Sequence, residues 1–270
     1  MCRCCVGRAM LSRRSFHRGF LTVAVAQPIL PGCLLPAPDA VVEPAMRLAL
    51  PDGAPRSVAL TLDACSGGTD RRIVDALIAL SVPATVFVTG LWLRGNAEAF
   101  ALMRGRPDLF SLQNHGEQHL PPVLGHVREY GLAVAGTLDA VCHEVARGAE
   151  LIAEAGAPPP RWYRGAAGLY SPEAVDAIAA MDVRIAGYSL NADAGASLPA
   201  ASVARRLAAA RSGDVIVAHV NQPHRPSGAG VAEGVAALKQ SGVSFVRLGD
   251  VPTTALDCPH RHERRLSVGA

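Results

Sequence analysis

The sequence is poor in aromatic residues and in lysine, and both shortages narrow the functions that it can have. Aromatic residues make up 4% of the 270 residues, and the only lysine is Lys239, in a polar helical segment. Chemistry that needs a lysine Schiff base or a P-loop lysine is therefore not expected. Because no basic stripe with interleaved aromatics is present, the sequence also gives no support for nucleic-acid binding.

The positive charge and most of the cysteines are concentrated in the first 40 residues. Residues 1–40 hold five of the 26 basic and one of the 23 acidic residues, so the remainder, with 21 and 22, is near neutral. Four of the seven cysteines lie there as well, which leaves Cys65, Cys142 and Cys258. These three form no CxxC pair, so no disulfide framework is predicted and their roles stay open.

Residues 1–40 have the pattern of an export signal. Ser12-Arg13-Arg14-Ser15-Phe16 precedes a moderately apolar stretch and resembles a twin-arginine signal, with Met10 as an alternative start to Met1. Cys33 ends an imperfect lipoprotein box and is a candidate for a lipid anchor. Since no later segment reaches the ~18 uncharged apolar residues of a membrane span, we expect an exported chain, periplasmic or extracellular, with no transmembrane domain after cleavage.

Beyond this leader, apolar runs alternate with helical patterns over residues 45–250, and a polar tail at 251–270 is expected to be flexible. Strands are predicted at 58–63, 83–89, 109–113, 161–164, 183–190, 215–220 and 243–248. Helices are predicted at 70–80, 96–103, 137–155, 171–181, 199–211 and 230–240. This alternation predicts a parallel α/β domain. Without GxGxxG after the first strand, a dinucleotide-binding fold has no support.

Residue types used in hydrolysis follow several of these strands. They are, in chain order, Asp63, His115, Arg164, Asn191, Asp193 and His219. The carboxyl ends of parallel strands meet at one face both in a closed barrel and in an open sheet. We therefore expect these side chains to share one site, while the pattern alone does not decide whether the sheet closes.

Each candidate also has a reading without catalysis. Asp63 can cap the Ser-Gly-Gly loop that follows it, and Arg164 can hold a carboxylate bidentately or form an ordinary strand-end salt bridge. His219 is either a buried histidine tied to the backbone or a general acid. His115 and His119 are four residues apart, so one helical turn would bring both imidazoles to a metal ion; the alternative is two exposed loop histidines.

In this order the motifs resemble the polysaccharide deacetylases of carbohydrate esterase family 4, the NodB-homology domain, over about residues 56–249. The matching segments are Thr61-Leu62-Asp63-Ala64-Cys65 for T-F-D-D-G, His115-Gly116-Glu117-Gln118-His119 for H-[ST]-x-x-H, Arg164 for the third motif, Asn191-Ala192-Asp193 for the fourth, and Val217-Ala218-His219 for L-x-H. The resemblance implies a distorted, TIM-barrel-like (β/α)7 barrel.

The resemblance further implies a hydrolase that removes acetyl groups from an N-acetylated polysaccharide such as peptidoglycan or a chitin-like glycan. It implies that Asp63 is the base, Arg164 orients it, His219 is the acid, and Asp193 or Asn191 tunes Arg164 or His219. The expected ligands of a divalent metal, zinc first with cobalt or nickel as alternatives, are His115, His119 and Asp63. Residues expected to contact the substrate are Tyr170, Asn191 and Asn221.

The departure from the family pattern that bears on metal binding is Ala64, which stands where the family has an aspartate ligand. The metal site could be completed without this aspartate in three ways. The two histidines hold the ion with water, Asp63 turns to the metal, or Cys65 contributes a thiolate. An O-acetyl ester hydrolase would use the same residues. A barrel that binds glycan without turnover and a sugar-phosphate enzyme built on Gly67-Gly68 and Gly165–Gly168 are the alternatives from other classes.

Overall fold

The structure, a computed structural model, describes residues 41–125, 128–256 and 261–262. The chain divides into two compact units, Met1–Pro38 and Asp39–Ala270, and all described residues belong to the second. The expected export signal, the alternative start at Met10 and the anchor at Cys33 lie outside the described residues. Within the described ranges no helix has the length and apolar character needed to cross a membrane.

Strands and helices alternate along the described chain. The strands are β1 (Val41–Val42), β2 (Ala45–Leu48), β3 (Ser57–Ala64), β4 (Ala84–Val88), β5 (Phe110–Asn114), β6 (Arg128–Glu129), β7 (Leu132–Ala133), β8 (Trp162–Tyr163), β9 (Arg184–Ile185), β10 (Leu190–Asn191), β11 (Val215–His219), β12 (Ser244–Val246), β13 (Thr253–Leu256) and β14 (Arg261–His262). The α-helices are α1 (Arg71–Ala79), α2 (Gly90–Gly95), α3 (Ala97–Arg104), α4 (Leu138–Glu154), α5 (Pro172–Ala179), α6 (Ala200–Ala208) and α7 (Ser227–Gln240).

The main sheet is parallel and curled, which confirms the predicted α/β architecture. Its strand order is β10-β11-β3-β4-β5-β8-β9, with β12 paired to the start of β3. The seven strands of this path form a half-barrel, consistent with the distorted (β/α)7 barrel that the resemblance implied. All their carboxyl ends point the same way because every pairing in the path is parallel.

The predicted strand at 183–190 is wrong as one continuous strand. It consists of β9, which pairs with β8, and β10, which pairs with β11, so its two halves lie at opposite ends of the strand order. Residues between them bond to both ends, since Ala186 N donates to Tyr163 O and Ser189 N to Val215 O. Gly187 allows this crossing, because a Cβ there would lie 2.3 Å from the Pro44 carbonyl oxygen.

Strand β3 is buried along its whole length, and its two faces have different roles. Val58, Leu60, Leu62 and Ala64 pack into the apolar layer that includes the buried face of α1. The alternate residues face the interior of the half-barrel, where Asp63 and its neighbours lie. This alternation follows from the period of two in an extended chain.

The segments that flank the barrel form strands that the sequence does not indicate. β2 pairs antiparallel with β13, and β1 with β14. Thr253–Leu256, near the start of the predicted flexible tail, forms strand β13. Its polar composition misleads because ladder hydrogen bonds use backbone groups, whatever the side chains are.

Candidate active site

Asp63 lies at the carboxyl end of β3 and is bound by Arg164, which follows β8. Arg164 Nη1 donates to Asp63 Oδ1 and to Thr61 Oγ1, each at 2.8 Å. Burial would raise the pKa of Asp63, but Arg164, His115 and His219 together lower it from its usual value. The Asp63 carboxylate therefore stays ionised and can accept a proton.

Arg164 also connects this carboxylate to the segment in which the chain crosses from β9 to β10. Its Nε donates to Ala186 O at 3.3 Å and its Nη2 to Gly187 O at 3.2 Å, in the crossing between β9 and β10. The guanidinium carbon lies 4.4 Å from the centroid of Phe87. One buried side chain thus orients the acid and satisfies backbone carbonyls where the sheet ladder is interrupted.

His115 and His119, in the loop after β5, come together with Cys65, which directly follows β3. The donor atoms of these three side chains all lie within 4.8 Å of one another, and Cys65 Sγ is 3.4 Å from His115 Nε2. The expected helical turn is wrong, because Gly116 and His119 have positive φ angles of 89° and 61°. A loop nevertheless brings the two rings together, with centroids 5.0 Å apart.

The tautomer of His115 follows from its hydrogen bond. Its Nδ1 lies 2.6 Å from the carbonyl oxygen of Arg164, which can only accept, so Nδ1 carries the proton. In its neutral form, His115 would present a lone pair on Nε2 toward Cys65, as a metal-ligating histidine does. Burial would raise the pKa of the Cys65 thiol, but His115, His119 and His219 lower it well below its usual value.

Ala64 does not face this cluster. Its side chain is fully buried in the apolar layer on the opposite side of β3. Cys65, two positions after Asp63, lies on the same side as that carboxylate, as the period of two requires. Alanine at the aspartate position of the family motif offers no ligand atom, whereas a sulfur atom is available one residue later.

A buried acid on α4, which the sequence reading did not single out, holds the histidine loop. Glu144 is 2% exposed, and its carboxylate accepts from Gln118 N at 2.9 Å and from Leu120 N at 3.1 Å. Gly116 makes room for it, since a Cβ there would lie 2.4 Å from Glu144 Oε1. An acid within the apolar stripe of an amphipathic helix is the signal that could have identified Glu144.

His219 ends β11 directly opposite Asp63 and is bound by Asp193. Asp193 Oδ1 lies 2.9 Å from His219 Nδ1, and Asp193 Oδ2 accepts from His219 N at 2.7 Å. Burial would lower the pKa of His219, but Asp193 and Cys65 raise it well above its usual value. Protonated His219 can therefore act as a proton donor, with its side chain 17% exposed.

The three residues expected to contact substrate have partners within the protein. Tyr170 is buried, and its hydroxyl oxygen accepts from Gly165 N at 2.6 Å. Asn191 Oδ1 accepts from Ala194 N at 2.8 Å, and Asn221 Nδ2 donates to Ser66 O. Each of them thus orders a loop at the site, and their contact with a substrate stays a prediction.

The glycine-rich loop after β3 packs against other segments of the chain. Gly67 has a φ of 87°, and a Cβ there would lie 3.0 Å from Asn221 O. Its carbonyl accepts from Asn96 Nδ2 at 2.9 Å, so Asn96 binds this loop and makes no side-chain cap on α3. Asp70, which follows this loop, caps α1 by accepting from Arg72 N.

The comparisons with known proteins agree with this arrangement. A family model described as Polysaccharide deacetylase matches residues 51–186, which is half of the chain. A comparison with curated proteins gives no match.

Three solved structures show the same fold. A CE4 family pseudoenzyme from Bacillus anthracis has 17% identity and a TM-score of 0.58, over 73% of this chain and 65% of that chain. The Bc1960 peptidoglycan N-acetylglucosamine deacetylase has 20% identity and a TM-score of 0.63, over 78% and 92%. The peptidoglycan deacetylase PdaC from Bacillus subtilis has 20% identity and a TM-score of 0.59, over 74% and 91%. The match spans just under two thirds of the pseudoenzyme.

Proposed function

Because the chain belongs to the polysaccharide deacetylase family, we propose that it is a metal-assisted hydrolase that removes acetyl groups from an N-acetylated polysaccharide. The observation that supports this proposal is that two acid–base side-chain pairs lie around the cluster of Cys65, His115 and His119. Asp63, paired with Arg164, and His219, paired with Asp193, lie opposite each other on neighbouring strands. His115 Nε2, in the cluster, is 4.0 Å from Asp63 Oδ2.

The two pairs suit the two proton transfers of amide hydrolysis. Asp63 uses Oδ1 to bind Arg164, which leaves Oδ2 to accept the proton of an attacking water. His219, oriented by Asp193, donates a proton to the leaving amine nitrogen. A divalent ion held by His115 and His119 would lower the pKa of water and polarise the acetyl carbonyl. The products are acetate and a free amino sugar.

Peptidoglycan is the first substrate to test, because two of the structural relatives are peptidoglycan deacetylases. An exported enzyme would meet that polymer, so the proposal includes residues 1–40 as an export signal and residues 45–250 as the catalytic domain. Zinc is the first metal to test, with cobalt and nickel as alternatives.

The experiment measures acetate released from N-acetylglucosamine oligomers and from peptidoglycan by wild type and Asp63→Asn. We expect release by wild type, its loss with a chelator and its return with zinc. Asp63→Asn should lower the rate by about 10²–10⁴-fold, while Asp52→Asn, on an exposed turn, should not. Absence of release with every metal would reject the hydrolase proposal.

A second candidate function is glycan binding without turnover. Ala64 in the ligand position and a pseudoenzyme among the structural relatives favour it. Glycan binding that Asp63→Asn leaves unchanged, with no acetate released, would support this candidate. Acetate release from O-acetylated but not N-acetylated substrate would instead identify an ester hydrolase that uses the same residues.

A further inference from the structure

Cys65 is positioned as a metal ligand that the family pattern does not contain. Its Sγ lies 3.4 Å from His115 Nε2, and a tetrahedral zinc ion would hold a sulfur and a nitrogen ligand about 3.6 Å apart. His119 completes a set of three donor atoms within 4.8 Å of one another. The spacing therefore fits one ion without rearrangement of the barrel.

The architecture leaves this role to Cys65 rather than to its neighbour. The strand alternates, so Ala64 lies in the apolar layer, whereas Cys65 lies on the side of Asp63. Asp63 itself is engaged by Arg164 and is not among the residues whose donor atoms converge. A thiolate at 65 thus supplies the anionic ligand that the alanine at 64 cannot.

The surroundings hold the three ligands in place. The proton on His115 Nδ1 is bound by the Arg164 carbonyl, which directs Nε2 to the cluster. The loop that carries His115 and His119 is held by Glu144, which accepts from the backbone amides of Gln118 and Leu120. Such support is typical of metal sites, where outer partners orient the ligating side chains.

We propose that Cys65, His115 and His119 form a Cys-His-His metal site with one position open to water. One thiolate and two imidazoles suit a zinc-class ion and disfavour magnesium or calcium, which prefer oxygen ligands. The inference deepens the proposed function, on which its catalytic meaning rests, because the same ion would serve hydrolysis.

The direct experiment is cobalt substitution in the full chain. Thiolate bound to Co²⁺ gives a near-ultraviolet charge-transfer band, which imidazole and carboxylate ligands do not give. We expect this band in wild type and in Cys142→Ser, and its loss in Cys65→Ser, where the difference spectrum removes any signal from the other cysteines. Bound cobalt without the band, or a band that persists in Cys65→Ser, would overturn the proposal.

Alkylation gives a second, independent measurement. Iodoacetamide modification of the Cys65 peptide, followed by mass spectrometry, should slow by about tenfold or more when zinc is bound, and His115→Ala should remove this protection. Equal rates with and without zinc would contradict the site. So would an acetyl group trapped on Cys65 during turnover, because it would make Cys65 a nucleophile, activated by His219 and Asp193.

Different results would reject the hydrolase proposal and the Cys-His-His metal site. Acetate release without the thiolate band would leave the hydrolase standing and remove Cys65 from the metal. The band without acetate release would keep the Cys-His-His site and favour a protein that binds metal and glycan without turnover. Zinc affinity of Cys65→Ser should fall by more than about 100-fold, beyond the 10–100-fold typical for loss of an outer partner.

Discussion

Arg164 Nη1 lies 2.8 Å from Asp63 Oδ1, and this contact joins the proposed base to the point where the barrel crosses between its two end strands. The same guanidinium donates to the carbonyls of Ala186 and Gly187. Both members of the ion pair are buried, so neither is screened by water. Stability and proton transfer therefore depend on one side chain.

Arg164→Gln should lower both the free energy of unfolding and the rate of acetate release. Removing one partner of a buried ion pair costs about 3–5 kcal/mol, because the other charge is left uncompensated. Denaturant unfolding and initial rates measure the two effects. Arg161→Gln, at an exposed position three residues earlier, is the matched control and should change neither. Wild-type stability in Arg164→Gln would show that the Arg164–Asp63 pair does not stabilise the crossing between β9 and β10.

Asp193→Asn should slow the reaction only where the leaving group needs a proton. The carboxylate binds His219 through both oxygens, and its loss lowers the pKa of His219 and loosens the ring. Hydrolysis of the amide should fall by about 10²–10⁴-fold. Release of acetate from an activated phenyl ester, whose leaving group departs without protonation, should fall much less.

Two control variants make this test specific. Asp63→Asn should impair both substrates, because both need an activated water. Asp176→Asn, on the exposed face of α5, should impair neither. Equal losses on amide and ester in Asp193→Asn would mean that His219 is not the proton donor.

Much of the site could be predicted because its residues follow apolar strands. Asp63, Arg164 and His219 lie within one residue of the ends of β3, β8 and β11, and parallel strands bring such ends together. The role of Ala64 was harder to predict, since a motif comparison treats positions one by one and ignores the face of the strand.

Other features depend on contacts that no local pattern contains. Glu144 binds backbone amides 24 and 26 residues earlier in the chain, and its own segment shows only an acid in an apolar stripe. The split between β9 and β10 depends on Gly187 passing the Pro44 carbonyl, far away in the sequence. Such tertiary contacts decide local structure without leaving a periodic signal.

Glu144→Gln should weaken zinc binding by about 10–100-fold, because Glu144 positions the loop that carries His115 and His119. Gln offers one acceptor oxygen and places an NH₂ group against backbone N–H donors. Competition with a chromogenic chelator measures the affinity, and the unfolding midpoint without metal separates positioning from simple loss of fold. Glu150→Gln, on the exposed face of the same helix, should bind zinc as wild type does. An unchanged affinity in Glu144→Gln would show that the loop needs no anchor.

A carboxylate placed at position 64 or at position 65 should have opposite consequences. Ala64→Asp restores the aspartate of the family motif, yet this side chain would enter the fully buried apolar layer. An unsatisfied polar group there costs about 1–3 kcal/mol, and overpacking adds about 1–3 kcal/mol. The unfolding temperature should fall by about 2–4 °C for each kcal/mol, with no gain in metal affinity.

Cys65→Asp puts the same charge one residue later, on the side of the cluster that holds His115. It should keep most of the stability, bind zinc through an oxygen ligand and lack the thiolate band with cobalt. Thermal unfolding and metal titration of the two variants, side by side, make the comparison. If Ala64→Asp instead binds metal more tightly than wild type, the end of β3 must rotate to present position 64, and the assignment of the ligand to Cys65 would fail. The strand register argues against that result, because rotating Ala64 inward would turn Asp63 away from Arg164.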